Sequence, residues 1–322
     1  MRGREEKMTN ETEGEETMGT FERAEAFVYR FARPLDLARW QYHFEGGSSG
    51  AVLKALACYQ NEDGGFGHGL EADCWNPASA PIQTWAAAET LREVGIADPA
   101  HPMIRGILRY LAAGTDFDGQ VWGNTVPGNN EHPHAPWWSW NAAADGPPNY
   151  NPTAYLAGFI LRFADPHSEL YERGCRVAQE AFDAYMKGGQ PIGMHTAHCY
   201  IRLLEYCREA GVRDLLDLPA LEARLQQQVE GDISRDTSSW QTEYVCRPSQ
   251  YIDSPASIFY PRNRETAEYE CDFIVKTQEE DGAWSLAWEW GGYPEEWAVS
   301  KHWWRASRAL ANLLYLKGFS RL

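Results

Sequence analysis

Apolar residues recur along this chain three and four positions apart, and almost nowhere at the two-residue period of a strand. Phe21, Ala24, Phe27, Val28 and Phe31 form the first stripe. Ser48 or Ser49 stands as a cap ahead of Val52, Leu53, Leu56 and Ala57. Pro81 to Val94 carries Ile82, Trp85, Ala86, Ala88 and Leu91, and His101-Pro102 opens a stripe of Ile104, Ile107, Leu108 and Leu111. Asn151-Pro152-Thr153 reads as a helix start, with Asn as cap and Pro at the first position, before Leu156, Phe159, Ile160 and Phe163. Further stripes predict helices over about 168–187, 194–210, 218–231, 263–278 and 300–316. The pattern therefore predicts an all-α fold of roughly ten to twelve helices, each about 12–18 residues long. Two connections, about 118–150 and 232–262, are long and rich in Pro, Gly, Asn and aromatic residues, and loops of that length tend to carry function. No linker interrupts the pattern, which predicts a single domain over 20–322. Residues 1–19 are predicted to be a disordered acidic tail, because Glu5, Glu6, Glu11, Glu13, Glu15 and Glu16 leave little to bury.

An internal repeat lies over this helical pattern. Leu56-Ala-Cys-Tyr-Gln60-Asn-Glu-Asp63-Gly64-Gly65-Phe66-Gly67 matches Ile274-Val-Lys-Thr-Gln278-Glu-Glu-Asp281-Gly282-Ala283-Trp284-Ser285. The shared form is Gln-x-x-Asp-Gly-x-aromatic at the end of an apolar helix. Asp118-Gly119-Gln-Val-Trp122-Gly123 is a degenerate third copy that lacks the Gln. Asp-Gly is expected to end the helix with Gly in the left-handed conformation, the aromatic to fold back onto a neighbouring helix, and the Gln to bridge backbone groups at an adjacent helix end.

In this form the repeat resembles the QW motif of the terpenoid cyclase and protein prenyltransferase superfamily, as in the squalene–hopene cyclases. The resemblance implies an α/α toroid, two rings of helices round a central cavity. The catalytic markers of the superfamily do not accompany it. The Asp-x-Asp-Asp acid of hopene-type cyclases occurs nowhere in the chain, and Pro77-Ala78-Ser79-Ala80 stands in its place. The Asp-Asp-x-x-Asp box that holds Mg²⁺ in other terpene synthases is absent too. The prenyltransferase zinc site needs Asp-x-Cys spacing, whereas Asp73 and Cys74 are adjacent, and His195-Thr196-Ala197-His198-Cys199-Tyr200 reads as an ordinary helix start. The chain looks like a small relative of unassigned chemistry.

Composition adds charge and aromatic surplus. With 29 Lys+Arg against 46 Asp+Glu the formal net charge is −17, which argues against a nucleic-acid partner or an anionic membrane surface. No apolar run is long enough for a transmembrane segment. An odd number of cysteines, seven, without a Cys-x-x-Cys pair or an apolar leader, predicts free thiols and a cytoplasmic protein. The oddity is 14 Trp. Six of them, Trp284, Trp288, Trp290, Trp297, Trp303 and Trp304, crowd the last repeat, and Trp122, Trp137, Trp138 and Trp140 crowd the first long loop.

Two loops follow a repeat and lead into a helix, and both carry acids among aromatics. In the first, Glu71 and Asp73 lie beside His68 and Trp75; the acids diverge if the loop is extended and converge if it is turned. In the second, Glu289 sits between Trp288 and Trp290, where it would be desolvated, with His302 or Arg305 as its partner and Trp304 nearby. Glu71, Asp73 and Glu289 are the candidate catalytic acids. Trp137, Trp138 and Trp140, with the Trp, His and Arg residues just named, are the candidate substrate-binding groups, the long loop folding over as a lid with its indoles inward. His132 and His134 lack matched metal ligands, and no metal or cofactor is expected.

Three functions fit this pattern. The first is an enzyme acting on an isoprenoid or other apolar ligand, since aromatic faces stabilise carbocations. The resemblance implies cyclase- or transferase-like chemistry for it. The second is a carbohydrate-active enzyme, a lyase, epimerase or glycosidase, in which sugars stack on Trp between two carboxylates. The third is a non-catalytic toroid that binds a small molecule. The oligomeric state is open.

Overall fold

The computed structural model describes residues 19–142, 148–188 and 192–322. The acidic tail therefore lies outside the described residues except for Gly19, which opens the first helix. Among the described residues there are eleven α-helices. They are α1 (19–31), α2 (Pro34–Phe44), α3 (Ser49–Leu56), α4 (Pro81–Glu93), α5 (Pro102–Ala113), α6 (Thr153–Phe163), α7 (Glu169–Lys187), α8 (Met194–Glu209), α9 (Leu218–Asp232), α10 (Tyr260–Lys276) and α11 (Pro294–Gly318). Among the described residues extended pairing is limited to three isolated bridges, so the fold is all-α. No helix there is long and apolar enough to cross a membrane.

Local chemistry explains several helix starts. Ser168 Oγ caps α7 by accepting the Tyr171 N–H at 3.2 Å, and Ser48 Oγ accepts the Ala51 N–H at 3.3 Å ahead of α3. His101 Nδ1 accepts the Met103 N–H at 3.3 Å at the head of α5. Asn151 is not a cap. The Asn151–Pro152 peptide is cis, α6 begins at Thr153, and Asn151 Oδ1 accepts instead from Cys199 Sγ at 3.5 Å. Helix α2 carries no clear apolar stripe, because its inner face holds Asp36 beside Leu35, Ala38 and Trp40. Asp36 is ion-paired to Arg33 at 2.7 Å and Arg39 at 3.1 Å. Helix α11 starts six residues ahead of its apolar stripe, where Pro294, Glu295 and Glu296 make a polar first turn.

The helices form two compact units. Unit 1 comprises residues up to Val52, then Ile233–Glu289 and Ala298–Leu322. Phe27 of α1, Ala283 and Ala306 of α11 form a buried cluster in it, flanked by Phe31 and Ala32. Tyr315 of α11 donates its hydroxyl to the Ala267 carbonyl of α10 at 3.0 Å. Unit 2 comprises Leu53–Asp232 and Trp290–Trp297. Helix α6 is buried on almost every side in it and packs against α7 and α8, as an apolar-all-round helix must. Helices α4 and α8 are tied by ions: Glu89 meets Arg202 at 2.9 Å and His198 at 3.2 Å, and Arg202 also meets Glu205 at 2.7 Å.

The two full repeats fold alike, one in each unit. Gln60 Nε2 donates to Gly64 O at 3.0 Å, and Gln278 Nε2 to Gly282 O at 2.9 Å. Asp63 Oδ1 accepts the Gly65 N–H at 2.8 Å, and Asp281 Oδ1 the Ala283 N–H at 3.1 Å. Gly64 and Gly282 take φ of 97° and 96°. Each turn docks on the backbone of a helix, Gly64 on Gly106 of α5 and Gly282 on Arg23 of α1, so closely that a Cβ would fall 2.2 Å and 2.0 Å from their carbonyl oxygens. Contrary to the expectation from sequence, the Gly does not cap the helix; it takes its positive φ beyond the helix end, in a separate turn. Gln278 also donates to Thr20 O in the first turn of α1, at 2.9 Å, which is the bridging expected of it.

Candidate functional site

The acid loop grows out of the first repeat. Gly67 N–H donates to Tyr59 O, and His68 N–H to Asn76 O, each at 3.0 Å, closing the stretch between them into a loop. Within it Cys74 N–H donates to Glu71 O at 3.0 Å, so Glu71–Cys74 is a turn. In the turned form the Glu71 carboxyl caps the Asp73 backbone: Asp73 N–H reaches Glu71 Oε1 at 3.4 Å. Both are buried, Glu71 with 8% of its surface exposed and Asp73 with 4%. Gln83, fully buried on α4, holds the loop from below by accepting the Glu71 N–H at 3.4 Å and donating to Asn76 O at 3.1 Å.

Two other stretches of unit 2 cover the turn. Ala135 N–H donates to Asp73 O at 2.8 Å and Trp75 N–H to Pro133 O at 2.9 Å, so the long loop pairs with it as a short bridge. Trp290, buried, donates its indole Nε1–H to Asp73 Oδ1 at 2.7 Å and lies 5.7 Å from Trp297. His134 bonds Ser139 Oγ at 2.9 Å through Nε2 and sits 5.8 Å from the Tyr293 ring. Asn76 and Asn129 are joined at 3.0 Å, and Asn129 goes on to the Trp138 carbonyl at 2.9 Å. Burial first, then the Glu71 and Asp73 charges, push the Cys74 thiol up to about 12, so this buried cysteine is no nucleophile near neutral pH.

The remaining sequence candidates are placed differently. His68 is exposed, with Nε2 on Asn61 Oδ1 at 2.9 Å. Trp137 is 46% exposed, facing outward rather than inward. Trp138 packs on the Ala80, Ile82 and Val126 cluster, and Trp140 is clamped through its backbone to Asn130 at 2.9 and 3.0 Å. Glu289 is exposed, not desolvated. Its stretch is non-helical, and in an extended chain successive side chains point to opposite sides, so a residue between two inward indoles faces out. Trp288, Glu289, His302, Trp304 and Arg305 belong to unit 1. There His302 stacks on Phe31 at 4.4 Å, and burial, then the Arg305 and Lys301 charges, pull its pKa down. Trp288 and Trp304 meet edge to face at 5.6 Å. Arg305 is not a partner of Glu289. It is bound to Asp281 at 2.8 Å, to Glu279, and to Trp284 O at 3.3 Å, so it locks the second repeat.

Sequence reasoning passed over Gln83 and Glu270. Each is a polar residue on an apolar helical face, Glu270 three residues after Ala267 and four before Ile274, and that misfit is the signal that marks both. All seven cysteines are free. No group of three or more His, Cys, Asp or Glu side chains among the described residues is arranged to hold a metal ion. The fold and the loop define an all-α protein with two acids buried in one turn at the head of a helix, under an indole. No family model, curated protein or solved structure matches the chain.

Proposed function

We propose that Glu71 and Asp73 are the acid site of a terpenoid-cyclase-like enzyme that binds an isoprenoid or another apolar ligand, and that the Gln-x-x-Asp-Gly turns are the repeats of an α/α toroid. The observation that carries this reading is the burial of both carboxylates in one turn beneath Trp290. Buried acids are costly, and their concentration at functional sites gives the inference its force. In this reading Asp73, whose Oδ1 accepts the Trp290 N–H, carries the proton. In the reaction that proton passes to an alkene carbon of the ligand, Asp73 becomes a carboxylate, and the cation formed lies against aromatic faces. Loss of a proton from the product cation to Glu71 or Asp73 returns the pair to its starting charge. The seven free thiols support a cytoplasmic location.

Asp73→Asn and Glu71→Gln are expected to abolish turnover while leaving the unfolding free energy from urea titration within about 1 kcal/mol of wild type, since shape and one acceptor oxygen are kept. Glu289→Gln is expected to be silent in both assays. Full turnover by both of the first two variants would exclude this site. Ligand class is read by thermal shift with prenyl diphosphates and polyprenols against oligosaccharides. A second reading, a sugar-active enzyme with the same two acids, draws on the exposed Trp137 indole, a surface on which sugar rings stack. A melting-temperature rise with oligosaccharides alone favours it. A rise without any turnover favours a binding protein.

A further inference from the structure

Unit 1 holds a second cluster of charge that the acid turn does not use. Glu270, fully buried on α10, accepts the Ser249 N–H and Oγ–H at 2.7 Å each. Arg247 Nε lies 3.3 Å from Glu270 Oε1, and the Arg247 guanidinium rests 5.5 Å from the Phe273 ring centre. On α11, Arg308 donates to Ser285 O at 3.1 Å and lies 5.3 Å over the Trp288 ring, whose edge-to-face neighbour at 5.5 Å is Tyr244. Burial, then the nearby Arg247 charge, pulls Arg308 down to about 10.

The cluster thus sets two guanidinium groups against one carboxylate, inside a protein whose formal charge is −17. Both Glu270 oxygens are already engaged by Ser249 and Arg247. Each arginine still has N–H groups to give: among the described residues Arg247 is engaged at Nε and Arg308 at one terminal nitrogen. The Trp288 Nε1–H is buried and has no acceptor among the described residues. A desolvated donor without an acceptor costs stability, and so does surplus buried positive charge. One planar anion answers both.

We infer that unit 1 carries an oxyanion site in which Arg247 and Arg308 hold the carboxylate of an organic acid whose apolar body lies among Trp288 and Tyr244. A carboxylate fits better than a phosphate for two reasons. The surplus is a single charge, and the two coplanar oxygens match the guanidinium fork. The site uses residues of unit 1 alone, and Glu71 and Asp73 are not among them.

The test is a titration of the full chain with sodium benzoate, read by tryptophan fluorescence and melting temperature, beside inorganic phosphate and sodium chloride at matched ionic strength. Saturable benzoate binding is expected, weakened about tenfold by Arg308→Gln or Arg247→Gln and less by Trp288→Phe, which removes only the N–H donor. Asp73→Asn is expected to bind benzoate as wild type does. A benzoate response no greater than that of chloride overturns the site, and preference for phosphate overturns the carboxylate assignment. If far-UV circular dichroism shows Arg308→Gln unfolded, Arg308→Lys takes its place: it keeps the charge and loses the fork, and undiminished affinity in it also overturns the site.

Discussion

Glu270 and Glu89 are both carboxylates among packed helices, and their neighbours send them in opposite directions. At Glu270 burial dominates and raises the pKa, against the pull of Arg247 and the Ser249 donors. At Glu89 burial works the same way, but Arg202 and His198 override it and hold the carboxyl well below the usual range. Removing Glu270 would strip two hydrogen bonds from Ser249 and leave Arg247 buried without its counter-ion. Glu270→Ala is therefore expected to lower unfolding free energy by about 3–5 kcal/mol in urea titrations, with Glu270→Gln less severe because it keeps an acceptor. A loss below about 1 kcal/mol for the alanine variant would show that the cluster relaxes around water. Asp73 and Glu71 were visible in the sequence as acids in an aromatic loop. Their burial in one turn was not, because it depends on a loop closed by backbone hydrogen bonds and roofed by Trp290, a residue 217 positions away.

At the scale of elements the repeat is the informative unit. Its first two copies share φ, hydrogen bonds and docking, whereas the third keeps only part of the geometry. Asp118 Oδ1 accepts the Gln120 and Val121 N–H groups at 2.8 Å each, and Trp122 N–H donates to Thr153 Oγ1 at 2.9 Å, much as Phe66 N–H donates to Thr84 Oγ1 at 3.1 Å. Gly119 has φ 105° but open space around it, while Gly282 with φ 96° faces the Arg23 backbone. The pair separates conformational strain from collision. Gly119→Ala is expected to cost roughly 1–2 kcal/mol. Gly282→Ala adds a clash with rigid backbone and is expected to cost about 3 kcal/mol or more. Equal losses in thermal or chemical denaturation would mean that the docking of the turn on α1 contributes nothing. The repeat and most helices were legible because local period and turn chemistry specify them. Helix α2 was not, because its inner face includes Asp36, whose ion pairs to Arg33 and Arg39 periodicity does not register.

Across the whole molecule the ion network between α4 and α8 links stability to pH. A carboxyl held below its unfolded value contributes stability above that value and loses it as pH falls through the folded one. The Glu89 contribution should therefore be complete at neutral pH and decline once pH drops below about 4.3, the ordinary value for Glu. Urea titrations of wild type and Glu89→Gln should differ most near pH 7 and converge on acidification; a gap that widens toward acid contradicts the assignment. The sequence by itself determined the all-α class, the order of most helices and the two matched turns, because these follow from hydrophobic period, capping residues and the φ freedom of Gly. Only the tertiary structure decided which acids are buried in one turn, that Glu289 faces outward, that Arg305 serves the repeat, and that Arg247 pairs with Glu270 while Arg308 lies over Trp288. Those outcomes depend on contacts between residues far apart in the chain, where burial and partner choice are set by packing rather than by neighbours in sequence.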